Sequence, residues 1–256
     1  MENMIFFNRE EMFQKAMNIL DNYDDYTKYH CLRVGMYTAI FMIFLKENNL
    51  VPSMLENYSL RDIKDIIYAG FVHDIGKISV TDSIINNEDK LTKDEWEQIK
   101  DHTLVGAMFF RDDIFKMIYD GILMHHERMD GTGYPLGLKD EDIPIVARIV
   151  AIADSFDAMT DKRSYVKREA MSLDEYMVEI QKSMGSQFDS LLTELFLRMC
   201  KDSKYDKVLY IKNDENNFLK IVESIHKWIC SDEDTEIGFV RKNNEYKIVE
   251  KNNDLN

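Results

Sequence analysis

The sequence predicts a mostly helical protein with a small α+β segment at its C-terminal end, and three observations support this prediction. Apolar residues recur at helical spacing over most of the first 200 residues, as in the stripe of Val34, Phe41 and Leu45. Ser or Thr repeatedly stands three positions before an acidic residue, which is typical of a helix start. Strand-like patterns are confined to the chain beyond Cys200.

The elements of the first half follow from these signals in order. Residues 5–20 form an apolar stripe and predict a helix that covers the core. The next stripe begins at His30. Ser59 and Asp62 form a capping box that opens a third helix, which we expect to end near His73, with Gly76 at the break.

A second capping box, Thr92 with Glu95, predicts a continuous helix through His102 towards Gly106. The next stripe runs from Ile114 to His125. Two further helices are predicted to start near Pro144 and Ser172.

Beyond Cys200 the pattern changes. Val208–Ile211 and Ile237–Val249 are predicted as strands, the second as a hairpin about Asn243-Asn244, with a helix at Phe218–Ile229 between them. We therefore expect an N-terminal helix in residues 1–22, a main domain in residues 23–200 and an α+β annex in residues 201–256.

Composition limits the classes of function. The formal charge of −15 over 256 residues argues against binding to duplex nucleic acid, which relies on basic surface. The longest apolar run, Met36–Leu45, is too short to cross a bilayer, and the N-terminus lacks a secretory pattern, so we expect a cytoplasmic protein without membrane contact. Three widely spaced cysteines predict neither a disulfide framework nor a thiolate metal site.

One stretch, His125–Gly137, carries the most specific chemical signal. Two adjacent imidazoles precede a loop that is too rich in glycine to be helical. Upstream stand His73-Asp74 and His102, and Asp154 follows downstream. Read singly, a histidine on an apolar stripe is more often a hydrogen-bonded core residue than a ligand. Together, these nitrogen and oxygen donors indicate a site for divalent cations.

Several blocks in this order resemble the HD-GYP family, the metal-dependent cyclic di-GMP phosphodiesterases of the HD superfamily. The similarity covers roughly residues 20–200 and predicts an HD-type helical bundle. The blocks that carry it are His73-Asp74-Ile75-Gly76-Lys77, His125-His126-Glu127, Asp130-Gly131-Thr132-Gly133-Tyr134-Pro135, Ile143–Ile149, Asp154–Thr160 and Arg163-Ser164-Tyr165.

The resemblance implies a set of metal ligands: His30, His73, Asp74, His102, His125, His126 and Asp154. His30 is included because His30, Arg33 and Val34 reproduce the family's His-x-x-Arg-Val context. A carboxylate can bridge two cations whereas an imidazole cannot, so Asp74 is the predicted bridge and a catalytic residue. An unpaired buried carboxylate is costly, so Asp154 requires a cation: a metal, Arg148 or Arg163.

Further residues are expected around the ligands. Asp157, three positions after Asp154, is predicted to orient an imidazole, and Glu127 is also placed behind the ligands. Lys77, a second predicted catalytic residue, and Arg163 would neutralise phosphate oxygens, and the family's Gly-Tyr-Pro loop implies contacts of Gly133, Tyr134 and Pro135 with a guanine.

The ligand set predicts two cations, with iron or manganese favoured because thiolate is absent from it. The seven side chains, with Asp74 bridging, make about eight bonds, and two octahedral ions offer about twelve positions. A third ion would need a carboxylate one turn before His30, where Tyr26 stands, although Asp24, Asp25 or Glu127 could reach it from an irregular backbone.

These expectations combine into one function with open alternatives. Two cations would clamp a phosphodiester and a bridging hydroxide would attack in line, which converts cyclic di-GMP to linear pGpG, with slower cleavage to GMP. One alternative is hydrolysis of another cyclic dinucleotide or a linear nucleotide. The other is a sensor that signals occupancy to a protein partner, or through a homodimer, by way of the annex.

Overall fold

The computed structural model describes residues 8–85, 87, 90–161, 169–205, 209–231, 235–242 and 245–251. The predicted mostly helical fold is confirmed, and within the described ranges the only sheet is a two-stranded one near the C-terminal end. No helix in those ranges has both the length and the apolar character that a membrane span requires.

Helix α2 (Asp25–Glu47) is the centre of the molecule. Asp24 caps its start, because the Asp24 side chain accepts hydrogen bonds from the backbone N–H groups of Tyr26 and Thr27. Almost every residue from His30 to Leu45 is buried, because helices pack on all sides of it. A helix that is apolar around its whole circumference has this position in a core.

Helix α1 (Arg9–Asp21) packs against α2. It begins later than the predicted residue 5, because Asn8 and Glu11 form a capping box that fixes the start at Arg9. The predicted positions before Asn8 lie outside the described residues.

Helix α3 (Leu60–Val72) has the predicted capping box of Ser59 and Asp62 and ends at His73. A 3-10 helix at Ile75–Ser79 and the short helix α4 (Asp82–Ile85) follow. The end of α3 turns the chain, so that His73 and Asp74 face the same interior.

The predicted helix through His102 is in fact two helices, α5 (Lys93–Lys100) and α6 (His102–Met108). Asp101 separates them: α5 has no buried residue, whereas α6 starts with the buried His102 and Thr103. The capping box of Thr92 and Glu95 is present as predicted.

The remaining helices of the main bundle are α7 (Lys116–Met124), α8 (Ile145–Thr160), α9 (Leu173–Lys182) and α10 (Ser190–Lys201). Single 3-10 turns lie at Ser53–Leu55, Asp113–Phe115 and Asp140–Asp142. Helices α3, α7 and α8 pack on one another and bring the ends of α3 and α7 close to the middle of α8.

The strand predicted at Val208–Ile211 is wrong. Val208 lies outside the described residues, and Leu209 and Tyr210 lead into a 3-10 helix at Ile211–Asn213. No described strand lies beside this segment; instead the carbonyl of Leu209 accepts a hydrogen bond from the Tyr37 hydroxyl of α2. Leu209 and Ile211 are buried whereas Tyr210 is 47% exposed, so the apolar residues that suggested a strand lie on a helical turn that packs on the bundle.

The predicted helix at Phe218–Ile229 and the two strands of the predicted hairpin are confirmed. Helix α11 (Glu215–Cys230) is followed by the antiparallel strands β1 (Glu236–Lys242) and β2 (Glu245–Lys251), with Phe239 opposite Ile248. The two asparagines at the predicted turn lie outside the described residues.

Helix α11 packs onto the N-terminal helices. The His226 ring stacks on Phe13 with 4.0 Å between ring centroids, and Lys64 Nζ donates a hydrogen bond of 2.8 Å to the carbonyl of Ser231. Residues 215–231 therefore share the core of the helical bundle.

Gly76 permits the closest approach between the end of α3 and α6. A Cβ atom at this position would lie 1.9 Å from the His102 carbonyl oxygen and 2.5 Å from the Gly106 nitrogen.

We expect Gly76→Ala to destabilise the protein by about 3 kcal/mol, because backbone atoms must move apart. Urea unfolding measures this loss, with the exposed substitution Ser83→Ala as the control. An unchanged midpoint for Gly76→Ala would contradict the close packing.

Candidate metal centre

The structure brings all seven predicted ligands together at one place in the bundle. They come from α2, the end of α3, the start of α6, the end of α7 and the middle of α8. Their donor atoms form two groups, each with distances below 4.8 Å: one of Asp74, His102, His125 and His126, and one of His30, His73 and Asp154.

Asp74 lies between the two groups and turns one oxygen towards each. Its Oδ2 atom is 3.4 Å from Nε2 of His30 and 3.4 Å from Nε2 of His73. Its Oδ1 atom is 3.2 Å from Nε2 of His102 and 4.0 Å from Nε2 of His125. A carboxylate in this position can join two cations.

Backbone carbonyls fix the orientation of three imidazoles. Nδ1 of His73 lies 3.0 Å from the Gly70 oxygen, Nδ1 of His102 lies 2.6 Å from that of Ile99, and Nδ1 of His125 lies 2.8 Å from that of Ile122. A carbonyl can only accept, so each Nδ1 carries the proton and each Nε2 presents a lone pair to the centre.

His30 is oriented in the same way by a carboxylate. Its Nδ1 atom is 2.7 Å from Oδ2 of Asp157, so Nδ1–H donates and Nε2 faces the centre. Asp157 is fully buried and also accepts two hydrogen bonds from Arg33. Asp157 therefore stands behind His30, at the position that the sequence predicts for it.

The arrangement leaves electron pairs facing one another. Nε2 of His30 is 3.2 Å from Nε2 of His73, and Nε2 of His102 is 3.4 Å from Nε2 of His125. Oδ1 of Asp74 is buried and accepts no hydrogen bond from the described part of the chain. Facing acceptors repel unless positive charge lies between them, so this donor set fits bound cations.

The pKa shifts differ between the members of the centre. Burial opposes a charged His30, yet hydrogen bonds with Asp154, Asp157 and Asp74 outweigh it and raise the pKa of His30 to about 10. Burial and the neighbouring His102 lower the pKa of His126 to about 3, so that imidazole stays neutral. Burial disfavours the Asp157 carboxylate, but His30 and Arg33 lower its pKa to about 2.

Asp154 faces the His30 side of the centre. Its Oδ1 atom is 3.1 Å from Nε2 of His30 and 3.8 Å from Nε2 of His73. Of the cations considered from the sequence, Arg148 points elsewhere, since its Nη1 atom pairs with Asp189 at 3.1 Å. Arg163 lies outside the described residues.

Glu127 organises the glycine-rich loop. Its Oε1 atom accepts hydrogen bonds from the backbone N–H groups of Leu136 and Gly137, and its Oε2 atom accepts one from Leu138. Gly133 lies so close to Glu127 that a Cβ atom there would be 2.5 Å from its Cα. Glu127 thus holds the loop, and none of its hydrogen bonds goes to an imidazole.

The loop places Tyr134 next to the predicted ligands. The Tyr134 ring lies against His126, with 4.7 Å between centroids, and Pro135 follows through a cis peptide bond. Lys77, on the other side of the centre, forms an ion pair with Asp74 Oδ2. Tyr134 thus lies beside His126, and Lys77 lies beside Asp74.

A cavity of about 450 Å³ opens above His125, His126 and Asp154, and Gly133 and Tyr134 line it as well. Its wall includes residues that the sequence reasoning missed as functional: Trp96, Lys100, Arg128 and Gln187. Trp96 is 45% exposed and Lys100 Nζ lies 5.7 Å from the Tyr134 ring. The sequence could have indicated this wall, because Trp96 is a large aromatic residue in a mostly polar helix.

The fold and the site together define a helical protein with a buried cluster of histidines and carboxylates whose donor atoms fit divalent cations. Residues 12–192 match the family model described as the HD domain. The chain belongs to the HD domain family, whose phosphohydrolases bind divalent metals, and its resemblance to HD-GYP proteins is confirmed.

Individual relatives agree with this family. The chain is 34% identical over 194 residues to a cyclic di-GMP phosphodiesterase of Thermotoga maritima, covering 73% of this chain and 49% of that protein. It is 31% identical over 172 residues to 3'3'-cGAMP-specific phosphodiesterase 3 of Vibrio cholerae, covering 67% and 35%. The chain thus spans half or less of the length of these relatives.

A solved structure supports the fold. An HDG"Y"P protein from Bdellovibrio bacteriovorus superposes with a TM-score of 0.52 at 15% identity, over 74% of this chain and 58% of that one.

Proposed function

We propose that this chain is a metal-dependent phosphodiesterase that opens a cyclic dinucleotide. Its main substrate is cyclic di-GMP, and the product is linear pGpG. The observation that carries the proposal is the position of Asp74, with one carboxylate oxygen towards His102 and His125 and the other towards His30 and His73. The names of the relatives support the substrate class.

Two divalent cations, when bound, would polarise the phosphodiester and lower the pKa of a water that attacks in line. His73, Asp74 and Asp154 with His30 would hold one cation, and Asp74 with His102, His125 and His126 the other. The donor set of imidazole and carboxylate without thiolate favours iron or manganese.

The chain's own side chains would bind and orient the substrate. Lys77 carries a positive charge beside Asp74, where it can neutralise a phosphate oxygen. Tyr134 and Trp96 supply aromatic surface at the cavity, on which a purine base can stack. The cavity of about 450 Å³ lies within the range of small-ligand sites.

The name of the second relative favours one alternative substrate, 3'3'-cGAMP. A sensor without turnover, coupled to a protein partner or a homodimer through residues 201–256, remains the alternative from a different class. Both alternatives use the same pocket, so a single experiment separates them from the main proposal.

The test is incubation of anaerobically purified, iron- or manganese-loaded protein with a panel of cyclic dinucleotides, followed by chromatography of the products. We expect two metals per chain by elemental analysis and pGpG as the main product from cyclic di-GMP, with slower formation of GMP. Preferred cleavage of 3'3'-cGAMP would change the substrate, and tight binding without turnover under each metal would favour the sensor. Three tightly held metals per active chain would overturn the count.

Removal of the Lys77 charge tests the substrate contacts separately from the metal ligands. We expect Lys77→Gln to lower kcat/KM about 10- to 1000-fold through lost phosphate stabilisation, while the metal content stays unchanged. Lys116→Gln is the control, because Lys116 is exposed and pairs only with Asp120 among the described residues. A parallel loss of metal in Lys77→Gln would make Lys77 a structural residue. Arg163 is predicted to behave in the same way as Lys77.

A further inference from the structure

A buried polar network joins the C-terminal part of the chain to the metal centre. Its outer member is Lys212, which lies on the 3-10 helix Ile211–Asn213, beyond the residues 12–192 that match the HD domain. Although a lysine is normally solvated, the side chain of Lys212 is only 10% exposed. Burial of a charge requires partners, and the partners of Lys212 belong to α8 and the residue after it.

Lys212 holds the C-terminal end of α8. Its Nζ atom donates a hydrogen bond of 2.9 Å to the carbonyl oxygen of Thr160, the last residue of that helix. The same Nζ atom is 3.4 Å from Oδ1 of Asp161. A cation at this position also interacts favourably with the helix dipole of α8, which carries Asp154 and Asp157.

The network continues inward through Arg33. Asp161 Oδ2 accepts a hydrogen bond of 2.7 Å from Nη2 of Arg33. Arg33 also donates from Nε to Asp157 Oδ1 at 2.7 Å and from Nη2 to Asp157 Oδ2 at 2.9 Å. Asp157 Oδ2 in turn accepts from Nδ1 of His30. The path from Lys212 to a predicted metal ligand is therefore unbroken.

The charges of this path balance. Lys212 and Arg33 carry two positive charges, Asp157 and Asp161 carry two negative ones, and His30 is a neutral donor when its Nε2 atom binds a cation. Arg33 Nη2 is shared between the two carboxylates. If Lys212 is removed, Asp161 loses its second cation and competes more strongly for Arg33, which loosens the hold of Arg33 on Asp157 and so frees the His30 ring to rotate.

We propose that Lys212 is a positioning residue for the metal centre: through Asp161, Arg33 and Asp157 it fixes His30 in the orientation that binds a cation. The inference rests on the metal-binding part of the proposed function and does not depend on the substrate. It assigns to the segment that follows the HD domain match a direct part in building the metal site.

The sign of the effect distinguishes positioning from simple electrostatics. Loss of a positive charge near a cation site strengthens cation binding if only the long-range field changes. Loss of a positioning contact weakens it, because His30 must then be ordered by the metal itself. Mutation of a residue that hydrogen-bonds directly to a ligand imidazole typically lowers metal affinity about 10- to 100-fold. Lys212 acts through three intervening residues, so we expect its loss to lower the affinity about 10-fold.

The experiment is titration of the metal-free full chain with Mn²⁺ by calorimetry and with Co²⁺ by its visible absorption. For Lys212→Met we expect one of the two binding steps to weaken about 10-fold and the other to stay unchanged. Lys212→Arg keeps the charge and should restore most of the affinity. Asp161→Asn, which changes little in volume, removes the carboxylate that competes for Arg33. Alone it should leave the same step nearly unchanged, and combined with Lys212→Met it should restore most of the affinity.

Lys204→Met is the matched control. Lys204 also joins the C-terminal part of the chain to α2, but its partner Glu47 is the last residue of that helix. His30 and Glu47 are about 25 Å apart along the helix axis. Lys204→Met therefore removes one positive charge, as Lys212→Met does, without changing a residue of the path to His30.

Each result decides the proposal. A lower melting temperature of Lys212→Met with both Mn²⁺ steps unchanged would make Lys212 a packing residue only. Stronger Mn²⁺ binding, or equal weakening in Lys204→Met, would also overturn the inference. Wild-type protein that binds Mn²⁺ but hydrolyses no cyclic dinucleotide would contradict the proposed activity and leave this inference standing.

Discussion

Replacing Asp74 by alanine is expected to abolish turnover, with a loss of at least about 1000-fold, and to lower the metal content of the purified protein. Asp74 is 2% exposed and is the described side chain with oxygens directed at both donor groups. Its removal leaves each cation with fewer ligands and takes away the charge that lies between them. Elemental analysis and product chromatography on the same preparation measure both effects.

The matched control for this variant is Asp65→Ala. Asp65 is a buried aspartate of α3, the helix that precedes Asp74, and it forms an ion pair with Arg9 at a distance from the metal centre. Asp65→Ala should lower stability but keep metal and activity in the folded fraction. Far-ultraviolet circular dichroism of both variants reports whether the helical fold is retained. Full activity with a full metal complement in Asp74→Ala would refute the bridging role.

Removal of the metals is expected to have the second largest effect. At a free metal concentration of 1,000 times the Kd, metal binding adds about 4 kcal/mol to the free energy of unfolding, and this contribution is lost when the metal is removed. The reason is the repulsion between facing acceptors, with Nε2 atoms 3.2 and 3.4 Å apart and a buried Asp74 oxygen between them. For a chain of 256 residues this corresponds to a fall of about 10 °C in Tm.

Thermal melts before and after treatment with EDTA measure this change. Addition of Mn²⁺ to the metal-free protein should restore the original Tm, whereas Ca²⁺, which prefers oxygen ligands only, should restore little of it. In Asp74→Ala the effect of Mn²⁺ should be much smaller. Equal Tm values for metal-free and metal-loaded wild-type protein would show that the cluster is satisfied without cations.

Local signals in the sequence determined most of the helical fold. The capping boxes at Ser59, Thr92 and Ser172 fix helix starts through hydrogen bonds between residues three positions apart, so neighbouring residues suffice to predict them. The helix at Phe218–Ile229 and the hairpin after it were predicted from local apolar patterns. The prediction of a strand at Val208–Ile211 was wrong, because a short apolar pattern does not distinguish a strand from a helical turn.

The sequence by itself also predicted which residues the structure gathers at the candidate metal centre. The histidines and aspartates stand in the blocks that resemble the HD-GYP family, and the structure brings these residues into two adjoining groups. Chemical type decided this outcome, because imidazole and carboxylate side chains are rarely buried together without a cation.

Only the tertiary structure decided how these residues are held. Glu127 was placed behind the ligands from sequence, yet it binds the backbone of its own loop, since the geometry of that loop brings three N–H groups to its carboxylate. The path from Lys212 to His30 joins residues far apart in the chain, and no local pattern contains it. Contacts of this kind arise from the packing of whole helices, and a single sequence does not encode them at any fixed spacing.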